Sequence, residues 1–319
     1  MSTYTHKEIY TSAIMLVGEF GVMAGGIALT IPFQKSNVRV RKAGDIPPGK
    51  EKEASQSQTY LKSLYKFIGD LPADTFHAVP NLDFFYRNLE SVWFERNIPT
   101  GYGLGSSGAI SAAIYDLFFF ESRIVPLSHQ KEDLATIESC FHGLPKDLSQ
   151  LAKNNSGVEV LTCFTGTPLY FKDDGMIQQV EFNPVKILSG YRFFLLNSEE
   201  TSDSTPLVRQ FLRKMEDPGF ASSVRNEYHV INQKLIEALL GGNNADPGLL
   251  IRVLSDFQYT HFREMIPDSM LDLWIEGQVT NEFYLKLNGS GDRLMLGITH
   301  QTSMEFLEER WKRNLIWIE

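Results

Sequence analysis

Ile98-Pro99-Thr100-Gly101-Tyr102-Gly103-Leu104-Gly105-Ser106-Ser107-Gly108-Ala109 packs four glycines and two serines into twelve residues. Glycines at alternate positions let the backbone close on a ligand and turn successive N–H groups inward, an arrangement that binds anions. Small residues followed by Ile114, Leu117 and Phe118 predict a helix over 107–121. Its first turn would add unpaired N–H groups and the positive end of a dipole. Phosphate suits such a site, and the hydroxyls of Ser106 and Ser107 can donate to it or ligate a cation that bridges phosphates. The plain alternative is a helix cap after a glycine turn. Gly103-x-Gly105-x-x-Gly108 also satisfies the dinucleotide fingerprint. That pattern directly follows a buried parallel strand and has an acid about 20 positions later. Here Pro99 and further loop residues come first, and Glu121 is the first acid beyond the helix, so the dinucleotide reading is set aside.

Working outward, eleven of the 24 glycines lie in three clusters, at 18–26, 101–108 and 289–297. The first, Val17-Gly18-Glu19-Phe20-Gly21-Val22-Met23-Ala24-Gly25-Gly26, places an acid between two short apolar runs. Glu19 there is suited to gripping substrate hydroxyls, or equally to a solvated turn. In Glu138-Ser139-Cys140-Phe141-His142-Gly143, Glu138 lies one turn after Leu134 on an apolar stripe. A carboxylate on such a stripe needs a partner, either a divalent cation or a structural donor. Lys286-Leu287-Asn288-Gly289-Ser290-Gly291-Asp292 is a glycine turn between strands that could also approach phosphate.

A net charge of −9 argues against a nucleic-acid partner, which normally demands a basic stripe. Two cysteines, Cys140 and Cys163, without CxxC spacing point to a reducing cytoplasm. The apolar segment 9–33 carries Glu19 at its centre, four glycines and Pro32, which argues against a signal peptide, a spanning helix or a membrane role.

Ile14–Val17 and Ile27–Ile31 read as strands, and 34–56 as a polar excursion. The segments 60–68 and 83–94 are compatible with a helix or an edge strand. A second helix is predicted over 129–141, with Leu134, Ile137 and Phe141 on one stripe. Val158–Phe171 and Tyr191–Leu196 read as strands. Helical patterns follow at 206–216, 221–240, 248–265 and 268–276. Phe283–Leu287 and Leu294–Ile298 then read as strands, followed by a helix at 302–312 and a last strand at Leu315–Ile318. Long helices mixed with strands, without regular alternation, indicate an α+β chain. The expected boundary lies near 186–190.

With these four motifs in order over nearly the whole length, the chain resembles the GHMP kinase superfamily, most nearly its bacterial mevalonate kinase type. The resemblance rests on Pro99–Ala109, on "GEFGVMAGGIALTIPF", on "ESCFHG" and on "LKLNGSG". It implies two domains, 1–187 with a fold like ribosomal protein S5 domain 2 and 188–319 as a ferredoxin-like α/β sandwich. It further implies ATP-dependent phosphorylation of a small alcohol, mevalonate or similar, with Mg²⁺; a homodimer is compatible with it. Gly101, Gly103, Leu104, Gly105, Ser106, Ser107, Gly108, Gly289, Ser290 and Gly291 would hold the nucleotide. Ser107 and Glu138 would hold the metal, and Glu19, His142, Ser204 and Thr205 would face the substrate.

Three parts depart from the family pattern. Ala13 stands where the family has a lysine, five residues before the first glycine. Ser149 stands where it has an aspartate, seven residues after the His, and Asp292-Arg293 interrupts the third glycine run. Ser156-Gly157-Val158-Glu159 repeats the family's Ser-Gly-x-acid string further on, so Glu159 and Asp147 are the candidate catalytic acids. Two functions follow: an active kinase, or a nucleotide- or metabolite-binding relative with impaired catalysis.

Overall fold

Strands β1 (Ile9–Val17) and β2 (Ala28–Lys42) flank the first glycine cluster, in a computed structural model that describes residues 6–97, 106–142, 156–184, 190–198, 204–289 and 294–318. Gly18 has φ +115°, and a Cβ there would lie 2.5 Å from the Ile27 carbonyl oxygen. Only glycine lets the chain leave β1 so tightly.

The described residues gather into two units. One takes 6–13, 32–97, 106–142 and 156–167; the other takes 14–31 and the described residues from 168 onward. The hairpin at 14–31 groups with the later part of the chain; the expected boundary at 187/188 lies outside the described residues.

In the first unit β2 pairs antiparallel with β4 (Val92–Arg96), Val38 lying opposite Arg96 and Lys42 opposite Val92. Helix α1 (Glu51–Asp70) turns Ala54, Ser57, Leu61, Leu64 and Ile68 inward at helical spacing. The expected polar excursion at 34–56 is therefore the end of β2 and the start of α1. Most of its polar residues other than the buried Ser36 occupy outward or half-buried positions, which hides the periodicity. The segment 83–94 divides into α2 (Leu82–Asn88) and β4, and the Asn81 side chain caps α2 by accepting from Phe84 N at 3.1 Å. A two-stranded ladder joins β3 (Val79–Pro80) to β5 (Phe119–Phe120).

At the centre lies α3 (Ser106–Phe118), buried on every side from Gly108 to Asp116. Its small first residues let α4 (Leu127–Ser139) and α5 (Val158–Thr165) pack closely. Two acids in this interior are each met by several donors, as burial requires. Asp116 accepts through Oδ2 from Tyr10 Oη at 2.6 Å and Arg123 Nη2 at 2.5 Å. Asp133 accepts from the backbone of His77 and Ala78 and from Tyr115 Oη at 2.8 Å.

Val158–Phe171, expected as a strand, is α5 followed by β6 (Leu169–Phe171). An apolar run buried all round carries no period to tell helix from strand. The helix is framed by glycines with left-handed φ, Gly157 at +70° and Gly166 at +71°.

In the second unit the start of β2 pairs with β6, Ala28 opposite Phe171, and β6 with β7 (Ile177–Gln179). A four-stranded antiparallel sheet runs β11 (Leu315–Trp317), β8 (Tyr191–Asn197), β10 (Leu294–His300), β9 (Phe283–Lys286). Phe193, Phe194, Leu195 and Leu196 of β8 are all buried, so both faces of this inner strand are covered. Helices α6 (Ser204–Lys214), α7 (Pro218–Ser223), α8 (His229–Leu239), α9 (Pro247–His261), α10 (Leu271–Thr280) and α11 (Met304–Trp311) complete it. The helix expected at 221–240 is present and runs through a π turn at Val224–Tyr228.

Candidate functional site

Three helices of the first unit bring polar groups to the N-terminal end of α3. Ser107 Oγ donates to Glu138 Oε1 at 2.9 Å, joining the first turn of α3 to the last turn of α4. A Cβ on Gly108 would lie 3.3 Å from Glu138 Oε1 and 3.4 Å from Cys163 Sγ, so glycine opens the room for both. Gly157 lets α5 begin flush against α4, since a Cβ there would meet the Lys131 carbonyl oxygen at 2.6 Å. Glu159 follows in the first turn of α5. Cys163 registers both acids: burial pushes its thiol well up, and the Glu138 and Glu159 carboxylates push it further. The Ser-Gly-x-acid string thus sets Glu159 on a helix that also faces Glu138.

Ser107 and Glu138 supply oxygen donors only. Among the described residues no cluster of three or more His, Cys, Asp or Glu could hold a metal ion. A hydroxyl and one carboxylate suit a hard cation that keeps its waters and takes remaining ligands from phosphates, the habit of Mg²⁺.

Gly101, Gly103, Leu104 and Gly105 lie outside the described residues, as do Asp147, Ser290 and Gly291. Ser106 opens α3 and Gly289, with φ +57°, follows the buried Asn288. His142 closes a short 3₁₀ turn, and Ser204 and Thr205 open α6; the side chains of these three lie outside the described residues.

Glu19 occupies a different setting from either expectation. It belongs to the second unit and is fully enclosed, at 0% exposure. Lys286, also at 0%, pairs with its Oε1 and donates to the Leu287 carbonyl at 2.7 Å. Tyr228 Oη donates to the Glu19 backbone oxygen at 2.9 Å, and Gln258 Nε2 reaches Oε2 at 3.4 Å. Burial pushes the Glu19 carboxyl above its ordinary range, with Lys286 pulling it back. The carboxylate ties the glycine hairpin to β9 (Phe283–Lys286).

Two groups escaped sequence reasoning. Lys286 opens the third glycine motif, and its signal is a lone cation between Leu285 and Leu287 in a strand. Tyr60 of α1 stacks on Phe141 with ring centroids 4.0 Å apart. Its hydroxyl is sealed from solvent with no hydrogen-bond partner among the described residues. Burial pushes it well up, and the Cys140 and Glu138 groups add to this. Only the fold brings Tyr60 near Glu138.

The departure at Ala13 stands, and its side chain is 3% exposed. Lys7 is engaged elsewhere, donating to the Phe164 and Thr165 carbonyls at 3.0 Å each.

No family model matches the chain, and no curated protein matches its sequence. Solved structures do match it in fold. A mevalonate kinase of L. major, in complex with R-mevalonate, is 14% identical with a TM-score of 0.62, the match covering 98% of this chain and 95% of that one. A phosphomevalonate kinase of Streptococcus pneumoniae is 14% identical with a TM-score of 0.62, covering 97% and 98%. A galactokinase of Lactococcus lactis, complexed with galactose, is 13% identical with a TM-score of 0.58, covering 98% and 93%. Among the described residues no helix is long and apolar enough to cross a membrane. Nearly the whole chain therefore has the fold of the GHMP kinase superfamily.

Proposed function

We propose that the protein is an ATP-dependent kinase of mevalonate kinase type, transferring the γ-phosphoryl group of ATP to the hydroxyl of mevalonate or a similar small alcohol. The observation that carries this reading is the Ser107–Glu138 hydrogen bond at the N-terminal end of the central helix α3. Phosphoryl transfer relies almost wholly on positioning and electrostatic stabilisation, with little covalent work for the protein. A buried helix start supplies unpaired N–H groups aimed at phosphate oxygens. Ser107 and Glu138 would hold Mg²⁺, which when bound neutralises charge on the transferring group.

Glu159 is assigned to accept a hydrogen bond from the substrate hydroxyl and to orient its oxygen for attack. Asp147 is the competing assignment. With Ala13 in the lysine position, no cation from that point of β1 stabilises the transition state. The rate is accordingly expected to fall below that of an enzyme with a full set of groups. A second reading, a nucleotide- or metabolite-binding protein without turnover, draws on that same alanine and on Lys7 being committed to the end of α5.

Turnover of Mg²⁺-ATP against mevalonate, phosphomevalonate, galactose and related alcohols separates the two. The kinase reading expects a phosphorylated product from at least one of them. Nucleotide binding without product from any acceptor would leave the second reading in its place. The absence of nucleotide binding would remove both.

A further inference from the structure

Outside this site, the first unit holds a cleft of about 520 Å³, within the range of small-molecule sites. It arises because two strands outrun a helix. The bonds Ser36 Oγ to Ser12 Oγ and Val40 N to Glu8 O fix one antiparallel register between the start of the chain and β2. In that register His6 comes opposite Lys42. Residues 6, 8, 10, 40 and 42 then share a face, since side chains alternate along a strand. Farther along, that face packs on α3 through the bond of Tyr10 to Asp116. Helix α3 stops at Phe118, and beyond it His6, Glu8, Val40 and Lys42 are roofed only at the side, by α2. Phe84 of α2 is 39% exposed there, its ring 6.1 Å from that of Phe118.

The charges of this cleft divide into spent and unspent. Arg41 pairs with Glu95 at 2.7 Å and Glu90 with Lys62 at 2.7 Å. The side chains of Lys42, His6 and Glu8 make no hydrogen bond or ion pair among the described residues. An apolar wall formed by Val40, Phe84 and Leu117 faces two nitrogen groups and one carboxylate.

We propose that this cleft is a second small-molecule site and that it takes a monoanionic carboxylate with an apolar body. The carboxylate sits against Lys42 and His6, and the body lies along Val40, Phe84 and Leu117. Glu8 sets the charge limit. A like charge placed beside it is penalised, so a dianion such as a phosphate monoester is disfavoured against a carboxylate of equal length. The site is distinct from the phosphate end of α3: the 13 residues of that helix put about 18 Å between its ends at 1.5 Å per residue. It does not depend on the proposed kinase activity.

Calorimetry on the full chain without nucleotide, with octanoate, octyl phosphate and octan-1-ol as probes, tests this. Saturable octanoate binding is expected, at least threefold tighter than either other probe. It should weaken about fivefold in Lys42→Ala, in keeping with the ~1 kcal/mol of a partly exposed charge pair, and similarly in Phe84→Ser. Both substitutions are at exposed positions. If either variant fails to fold, chemical-shift mapping on the unaltered chain decides, with octanoate expected to move the Val40 and Leu117 methyl signals. Absence of saturable binding, shifts confined to other regions, or tighter binding of octyl phosphate or octan-1-ol would each overturn the proposal.

Discussion

Lys286→Met offers the most demanding test of the interior of the second unit. The change keeps most of the length of the side chain and removes its charge. Glu19 would then hold a carboxylate at 0% exposure without its cation, Gln258 Nε2 lying 3.4 Å from Oε2 and the Tyr228 hydroxyl already donating to the Glu19 backbone oxygen. Breaking a buried pair from one side leaves an uncompensated charge and costs about 3–5 kcal/mol. The loss should read directly in urea unfolding followed by tryptophan fluorescence, because Trp274, Trp311 and Trp317 lie in this unit and only Trp93 in the other.

The effect has a pH signature. Without Lys286 the burial that already raises the Glu19 carboxyl is unopposed, and its pKa rises further. A carboxyl raised in the folded state binds protons there before the unfolded chain does. The variant's stability therefore falls as pH rises through the unfolded-state value toward the folded one. The difference from the unaltered protein should be largest near pH 7 and should shrink on acidification toward pH 4, where Glu19 is neutral. Replacing both residues, Glu19→Leu with Lys286→Met, should recover most of the loss, since a packed apolar pair is often neutral or better. A cost below about 1 kcal/mol at pH 7, or one that does not change with pH, would refute the enclosed ion pair.

Further outcomes follow from the first unit. Gly157→Ala should destabilise by about 2 kcal/mol in urea unfolding, since φ is +70° and the new Cβ would approach the Lys131 carbonyl; an unchanged midpoint would contradict the α4–α5 packing. Cys163 and Cys140 are both buried, with the Cys140 thiol pushed up to about 12 by burial. Neither should react with a thiol reagent at pH 8 until urea is added. If turnover is found, Glu159→Gln and Asp147→Asn should separate the candidate acids. The acid that orients the hydroxyl is expected to lose on the order of 10²-fold in kcat, and an effect under about threefold would remove that residue from the mechanism.

The buried helix α3 is legible in the sequence because its small and apolar residues follow a glycine run, and the Ser-Gly-x-acid string brings in Glu159, beside Asp147, as a candidate through the family resemblance. The strands of the second sheet are legible as short apolar runs. What failed did so for physical reasons. Helix α5 has apolar residues on every side, so its sequence matches a buried strand equally well. The start of α1 is hidden by lysine, glutamate and glutamine on its outward face. Glu19 and Lys286 are 267 positions apart, and no local pattern announces a partner at that distance. Tyr60 has the same character: an ordinary aromatic in an amphipathic helix until Phe141 and Glu138 are seen beside it. Of the glycine clusters, the first supports a turn that carries a buried acid, while Gly108 of the second makes room for the Glu138 carboxylate and the separate Gly157 lets α5 start against α4.

Under the proposed function, Ser107 and Glu138 form a Mg²⁺-nucleotide site at the start of α3. Calorimetric titration with ATP, with and without Mg²⁺, on the unaltered protein and on Glu138→Gln tests it most directly. ATP binding that Mg²⁺ strengthens is expected, with that strengthening lost or reduced at least tenfold in Glu138→Gln. No ATP binding, or Mg²⁺-dependent binding identical in both proteins, would contradict it.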